Sequence, residues 1–176
     1  MTTRHVVTSF ALALCSLTAV LARTDSVQAT EVIGGTCVPD STTVREGFYE
    51  TRGFGVGFRG NNAGTIRLLC PFVDTGTPDI ITLSIIDQDG MEAGARVRAH
   101  FRRAKIGTNV AITIATCDSN TSNINGPHTQ ICEIQPRYKI RPIDEWYWWD
   151  VVIERTNPRV NVEFLGVGVR YFGPTL

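Results

Sequence analysis

All three tryptophans of the chain fall within residues 146–155, in the order Trp-Tyr-Trp-Trp-Asp-Val-Val-Ile-Glu-Arg. Side chains of a β-strand alternate between two faces, so Trp146, Trp148 and Asp150 share one face and the other is uniformly apolar. Flat aromatic rings beside a carboxylate suit a sugar, because rings pack on C–H faces and carboxylates accept hydroxyl hydrogen bonds. We therefore predict a ligand-binding site at Trp146, Trp148 and Asp150. The alternative is that a neighbouring loop or an arginine covers the two indoles.

A second set of candidate residues consists of the acids Asp87, Asp89 and Glu92, which surround Gly90. Carboxylates at positions i, i+2 and i+5 around a glycine turn can converge on a hard cation such as Ca²⁺. The closing acid of a full calcium-binding loop is missing, because no carboxylate follows Glu92 until residue 118. Aspartate and glycine are also ordinary turn residues. We predict no cofactor, with a structural calcium at Asp87, Asp89 and Glu92 as the alternative.

Basic side chains alternate with apolar ones in the predicted strand at residues 95–102. The basic residues are Arg96, Arg98, His100 and Arg102. Such a stripe can bind a polyanion, for example an acidic polysaccharide. The alternative is cross-strand pairing with carboxylates such as Asp150 or Glu154. Without residues 1–29 the chain has fifteen basic and sixteen acidic residues. This balance favours pairing and argues against a nucleic-acid partner.

Catalytic patterns are sparse in this sequence. It has neither a Gly-x-Ser-x-Gly motif nor a phosphate-binding loop. His128 lies in a polar loop, where a solvated side chain is expected. Asp150 and Glu154 share a strand face about 13 Å apart, beyond the roughly 5–9.5 Å of a glycosidase acid pair. A non-enzymatic protein is therefore favoured, although a pair of acids from different strands stays open.

The elements that must position these residues are strands, since no segment shows a helical period over ten residues. Residues 53–59 and 65–70 form a predicted hairpin around the turn at 60–64, and residues 95–102 and 110–117 form a second. Residues 80–86 form a buried strand that ends at the acidic turn beginning with Asp87. Near Phe164 the apolar alternation changes phase, which predicts a β-bulge. The fold class is therefore all-β, an antiparallel two-sheet β-sandwich of jelly-roll type with about eight strands.

The N-terminus has the pattern of a secretory signal. A short basic start precedes an apolar run at residues 6–21, and Val27-Gln28-Ala29 offers a cleavage site. A second potential site lies at residues 19–22. We predict a signal peptide at 1–29, a single domain at 30–176, and no transmembrane segment after cleavage. The predicted localisation is secreted, either extracellular or periplasmic.

Four cysteines follow the predicted cleavage site: Cys37, Cys70, Cys117 and Cys132. An even number of cysteines after a signal peptide indicates two disulfides. Three pairings are open, and the sequential one, Cys37–Cys70 and Cys117–Cys132, is favoured. A zinc or thioredoxin-like site is disfavoured, because there is no Cys-x-x-Cys pair and only two histidines remain.

Several short motifs occur together along residues 37–171: CVPD at 37–40, LCP at 69–71, DQDG at 87–90, RR at 102–103, ATCDSN at 115–120 and GVGV at 166–169. In this combination the chain resembles small secreted bacterial proteins with four cysteines. The resemblance implies a β-sandwich and export from the cell. It implies no activity and no site residues.

These observations predict a secreted, non-enzymatic binding module of lectin-like or carbohydrate-binding type. One alternative is a structural or interaction subunit of the cell envelope or of an extracellular assembly, in which an exposed strand edge would matter more than the indoles. The other is a carboxylate-based glycan hydrolase. The expected partner is a glycan or an envelope component.

Overall fold

Alternating apolar residues form eleven strands in the part of the chain that the structure describes. The structure is a computed structural model, and it describes residues 27–72, 79–89, 94–121 and 126–172. The strands are β1 (Val27–Ile33), β2 (Val38–Pro39), β3 (Tyr49–Arg52), β4 (Gly55–Phe58), β5 (Gly64–Pro71), β6 (Asp79–Asp89), β7 (Ala95–Lys105), β8 (Ala111–Asp118), β9 (Gly126–Lys139), β10 (Glu145–Arg155) and β11 (Glu163–Phe172). One short helix, α1 (Ser41–Glu46), and two 3-10 turns, Gly34–Thr36 and Ser119–Thr121, complete the described elements.

The strands pair antiparallel in two sheets, which confirms the predicted β-sandwich class. The first sheet has the order β3-β4-β11-β6-β9, with β1 also paired to β11. The second has the order β2-β5-β10-β7-β8. The tryptophan-bearing strand β10 is therefore the central strand of the second sheet, as its dense apolar face requires.

The core lies between the two sheets. Phe101 and Trp149 meet there with ring centroids 4.9 Å apart. Other fully buried side chains come from both sheets: Phe58, Ile66, Leu68, Leu83, Ile85, Val97, Val151, Ile153 and Phe164. Trp149, Val151 and Ile153 belong to the face of β10 that alternation predicted to be apolar, so that prediction is confirmed.

Both predicted disulfides are present, Cys37–Cys70 and Cys117–Cys132. The first joins the segment before β2 to the end of β5. The second joins β8 of one sheet to β9 of the other, so it links the sheets covalently. Such bonds are compatible with an oxidising, extracellular environment.

The predicted hairpin between residues 53–59 and 65–70 is wrong. Strand β4 pairs with β3 and β11 in the first sheet, whereas β5 pairs with β10 and β2 in the second. The loop between them therefore carries the chain from one sheet to the other. Turn-forming residues are the same in both kinds of connection, so the sequence could not separate them.

Two further predictions need correction. The strand predicted to end before Asp87 continues to Asp89, because Asp87 pairs with His128 of β9 and with Phe164 of β11. The chain also contains the helix α1, where no helix was predicted. Asp40 caps it by accepting the Thr43 N–H at 2.7 Å, and Gly47 ends it in a left-handed conformation at φ 67°.

Two local predictions are confirmed. Strands β7 and β8 form the predicted hairpin. The register of β11 against β6 shifts between Phe164 and Gly166, where the change of phase predicted a bulge.

The predicted signal peptide lies mostly in residues 1–26, outside the described residues. Cleavage after Ala29 would remove the first three residues of β1, which pair with residues 170–172 of β11. Among the described residues, no helix is long and apolar enough to cross a membrane.

Candidate functional site

An apolar groove crosses the outer face of the second sheet. Its volume is 690 Å³, and Trp146, Trp148, Val38, Leu69 and Pro71 line it. The groove forms because β10 lies beside β5, opposing Trp148 to Pro71, and because β2 lies on the far side of β5, opposing Val38 to Leu69. We call this surface the tryptophan groove.

The indoles of the tryptophan groove are accessible from outside. Trp146 is 68% exposed, and its apolar neighbours Val38 and Leu69 are 63% and 48% exposed. Trp148 is half-buried. Large apolar side chains grouped on a surface are typical of binding sites rather than of the solvated surface. The alternative that a loop or an arginine covers both indoles is thus wrong for Trp146 within the described structure, whereas Trp148 does lie against an arginine, Arg102.

Trp148 and Asp150 are held by the same arginine. The guanidinium carbon of Arg102 lies 6.0 Å from the centre of the Trp148 ring, and Arg102 Nη1 donates to Asp150 Oδ2 at 2.9 Å. Arg102 therefore fixes the position of the Asp150 carboxylate, whose side chain is 18% exposed. A carboxylate has about four acceptor positions, so Asp150 can also accept from a ligand hydroxyl. The structure thus brings Trp146, Trp148 and Asp150 together along one strand face, as predicted.

The basic stripe on β7 is largely neutralised by cross-strand ion pairs, as the pairing alternative predicted. Arg98 contacts Glu154 at 2.9 Å, and Arg102 contacts Asp150 at the same distance. Arg96 forms a bidentate pair with Asp118. Burial alone would raise the pKa of Asp118, but the hydrogen bond from Arg96 holds it below its ordinary value.

His100 lies in the middle of this ladder. Its Nδ1 is 2.9 Å from the Thr116 hydroxyl. Partial burial lowers the pKa of His100 below 6.5, and the charges of Arg98 and Arg102 act in the same direction. His100 is therefore neutral at pH 7.

A buried acid positions the start of β10. Glu145 is 7% exposed and accepts hydrogen bonds from Tyr147, Tyr138 and Arg103. Burial alone would raise the pKa of Glu145, but the hydrogen bond from Tyr147 and the charge of Arg103 hold it below its ordinary value. This cluster lies on the inner side of the strand that carries Trp146, so it fixes the backbone beneath the tryptophan groove.

The predicted calcium site falls only partly within the described residues. Asp87 is fully buried, and its Oδ1 lies 3.7 Å from Nδ1 of His128, whose side chain is 6% exposed. The expectation of a solvated His128 is therefore wrong. The side chain of Asp89 and all of Glu92 lie outside the described residues. Among those that are described, no group of three or more His, Cys, Asp or Glu side chains could hold a metal ion.

The prediction from sequence missed two contributors to this face. Leu69 and Arg67 point outward from β5, opposite Asp150 and Val152 of β10. Their outward orientation follows from alternation, since Ile66, Leu68 and Cys70 between and beside them are buried. The missing information was the neighbour: nothing in the local pattern says that β5 lies beside β10.

No protein-family model matches the sequence, and no curated protein matches it. Among solved structures, the CBM36-1 domain of a multidomain xylanase from the hindgut metagenome of Trinervitermes trinervoides aligns with 83% of this chain and 99% of its own, at a TM-score of 0.46 and 10% identity. TmCBM61 in complex with beta-1,4-galactotriose aligns with 84% of this chain and 88% of its own, at a TM-score of 0.39 and 9% identity. A structure of infectious bursal disease virus, Gx strain, aligns with 85% of this chain and 33% of its own, at a TM-score of 0.34 and 11% identity. At such low scores and identities, these likenesses carry no argument about function.

Proposed function

We propose that the protein is a secreted, non-enzymatic module that binds a glycan in the tryptophan groove. The observation that carries the proposal is the exposure of Trp146, at 68%, beside the half-buried Trp148 in a groove of 690 Å³. In a protein this small, leaving an indole in water forgoes about 1.5–3 kcal/mol of burial free energy. A ligand with an apolar face would recover that free energy.

A sugar ring matches both parts of this surface. Its C–H face packs against an indole, and its hydroxyl groups need polar partners at the edge of the contact. Asp150 supplies such a partner, because Arg102 holds its carboxylate at 2.9 Å on the same strand face. In the proposed complex the ring lies on Trp148 or Trp146, and a hydroxyl donates to Asp150.

The two disulfides support an extracellular or periplasmic location, because such bonds persist in oxidising compartments. The resemblance to secreted four-cysteine bacterial proteins points the same way. In this proposal the ligand is a cell-surface or extracellular polysaccharide.

The test is calorimetric titration of a panel of neutral and acidic oligosaccharides into the wild type and into Trp146→Ala and Trp148→Ala. A central interface tryptophan typically contributes more than about 1.4 kcal/mol, so each variant should bind at least about tenfold more weakly. The double variant should show no measurable binding while keeping a cooperative unfolding transition.

Phe54→Ala is the matched control. Phe54 is also an exposed aromatic residue, at 73%, but it lies in the β3–β4 turn of the other sheet. We expect this variant to bind like the wild type. Binding that survives loss of both indoles would overturn the proposal, as would failure of every glycan to bind. In the second case the interaction-subunit alternative takes its place, with the exposed edge strand β8 as its surface: Val110 just before it is 65% exposed, and Ile112 within it is 48% exposed.

A further inference from the structure

A polar pocket of 310 Å³ adjoins the tryptophan groove on the same sheet face. Arginines and carboxylates line it: Arg67, Arg98, Arg102, Asp150 and Glu154. Arg102, which donates a hydrogen bond to Asp150, also borders Trp148. A ligand lying along β10 can therefore contact the groove and the pocket together.

The pocket carries an excess of positive charge. Arg98 and Arg102 are paired with Glu154 and Asp150. Arg67 is exposed, and none of the ion pairs in the described part of the chain involves it. Three guanidinium groups thus face two carboxylates, which leaves one unbalanced positive charge. Neutral His100 beside them adds none at pH 7.

One further carboxylate lies near Arg67. Asp40 caps α1, and the hydrogen bond from the Thr43 N–H lowers its pKa, with the charge of Arg67 acting in the same direction. Asp40 does not line the pocket, and none of the ion pairs among the described residues joins it to Arg67. The guanidinium of Arg67 remains exposed at the side of the pocket next to β10, where Arg67 opposes Val152.

From this arrangement we infer that the glycan is acidic, and that the carboxylate of a uronic acid residue pairs with Arg67 while another sugar ring of the chain packs on Trp148. The inference rests on the proposed function and names its ligand class. A carboxylate matches the planar fork of a guanidinium, and its single charge equals the excess in the pocket. A doubly charged phosphate carries one negative charge more than that excess.

The spacing sets the size of the ligand. Trp148 and Val152 are four residues apart on β10, about 13 Å along the strand, and Arg67 lies level with Val152. This span exceeds one sugar ring, so an isolated uronic acid cannot occupy both places. The ligand is an oligosaccharide that runs parallel to β10.

The experiment compares each acidic oligosaccharide with its own uncharged form. Oligomers of galacturonic, guluronic, mannuronic and glucuronic acid are titrated into the wild type, each alongside its methyl ester, which keeps the backbone and removes the charge. We expect at least one acid to bind about tenfold more tightly than its ester, the effect of one charge-assisted contact. That difference should shrink as salt is added.

Arg67→Gln should abolish the difference between acid and ester. The matched control is Arg170→Gln, which removes an exposed strand arginine from the other sheet and should keep the full difference. Equal affinity of acid and ester, or equal effects of the two substitutions, would overturn the inference and leave the proposed function intact. Dextran sulfate competing as well as the uronates would also overturn it, because a general polyanion site would then explain the data. Failure of every oligosaccharide, charged or not, removes the proposed function itself.

Discussion

Arg155 offers the sharpest test of how this fold is held together. It ends β10, is only 4% exposed and has the inward orientation that alternation gives to Trp149 and Ile153. Its Nε donates to the carbonyl of Asn62 at 2.6 Å and its Nη2 to that of Gly60 at 2.7 Å. Its guanidinium carbon also lies 4.6 Å from the centre of the Phe58 ring. A single buried cation thus fastens the loop that carries the chain between the two sheets.

The expected cost of removing this cation follows from these contacts. Each hydrogen bond to a charged group contributes about 1.5–3 kcal/mol, and a cation–π contact about 0.5–2 kcal/mol. Against this stands the desolvation of the guanidinium, several kcal/mol per buried ion. Burial lowers the pKa of Arg155, although an arginine stays protonated. We expect Arg155→Met to lower the free energy of unfolding by about 3 kcal/mol, and Arg155→Lys by about 2 kcal/mol, because an ammonium lacks the fork that reaches both carbonyls.

The assay is urea denaturation followed by tryptophan fluorescence, with the disulfides kept oxidised and the free energy of unfolding obtained by linear extrapolation. A loss of about 3 kcal/mol corresponds to a melting temperature about 6–12 °C lower for a domain of this size. Arg59→Met is the control, since it removes an exposed arginine that precedes the same loop. We expect it to change the stability by less than about 0.5 kcal/mol. If Arg155→Met and Arg59→Met have the same stability, the buried cation does not hold the loop and the reasoning fails.

Two other predictions follow from the same structure. Replacing Cys37 and Cys70 by alanine should cost about 4 kcal/mol and replacing Cys117 and Cys132 about 3 kcal/mol, because the sequence separations of 33 and 15 residues set the entropy lost by the unfolded chain. Denaturation of the two double variants tests this order, and the reverse order would contradict it. Glu145 has a pKa below its ordinary 4.5 in the folded protein, so its contribution to stability is present above that value and is lost as the pH falls through the lower folded-state pKa. The stability advantage of the wild type over Glu145→Gln should therefore be constant above pH 4.5 and shrink as the pH is lowered further, and an advantage independent of pH would speak against this role.

Local periodicity predicted the faces of the strands well and the order of the strands poorly. Ala95, Val97, Ala99 and Phe101 alternate with basic residues, and the structure buries the first set. Alternation is a property of the strand itself, so it can be read locally. The pairing of β4 with β11 joins segments about one hundred residues apart, and it depends on contacts that neither segment reveals alone. One clue did exist: Gly55 leaves space on its face, and a Cβ there would clash with Glu163 of β11.

Charged residues within strands were the second source of error. Asp87 was predicted to begin a turn, because aspartate rarely occupies a buried strand. The structure buries it at the end of the core, 3.7 Å from His128. The nearby imidazole of His128 lowers the cost of burying the Asp87 carboxyl group. His128 lies 41 residues further along the chain, so the local sequence around Asp87 does not reveal it. For the candidate site the same limit applied: Trp146, Trp148 and Asp150 were found from one strand, whereas Arg67 and Leu69 required knowledge of its neighbour.

The outer face of β10 can serve binding because the fold does not depend on it. Its ion pairs are partly exposed, with side chains 30% and 33% accessible for Arg98–Glu154 and 31% and 18% for Arg102–Asp150, and such pairs contribute only about 0–1 kcal/mol. Trp146 buries little surface, and Arg67 is exposed. The fully buried side chains, the disulfides and Arg155 all lie on the inner side or at the ends of the sandwich. Substitutions at Trp146 and Arg67 therefore remove the groups proposed to bind the ligand without removing core contacts, so a loss of affinity in those variants would report on the ligand contacts and not on unfolding.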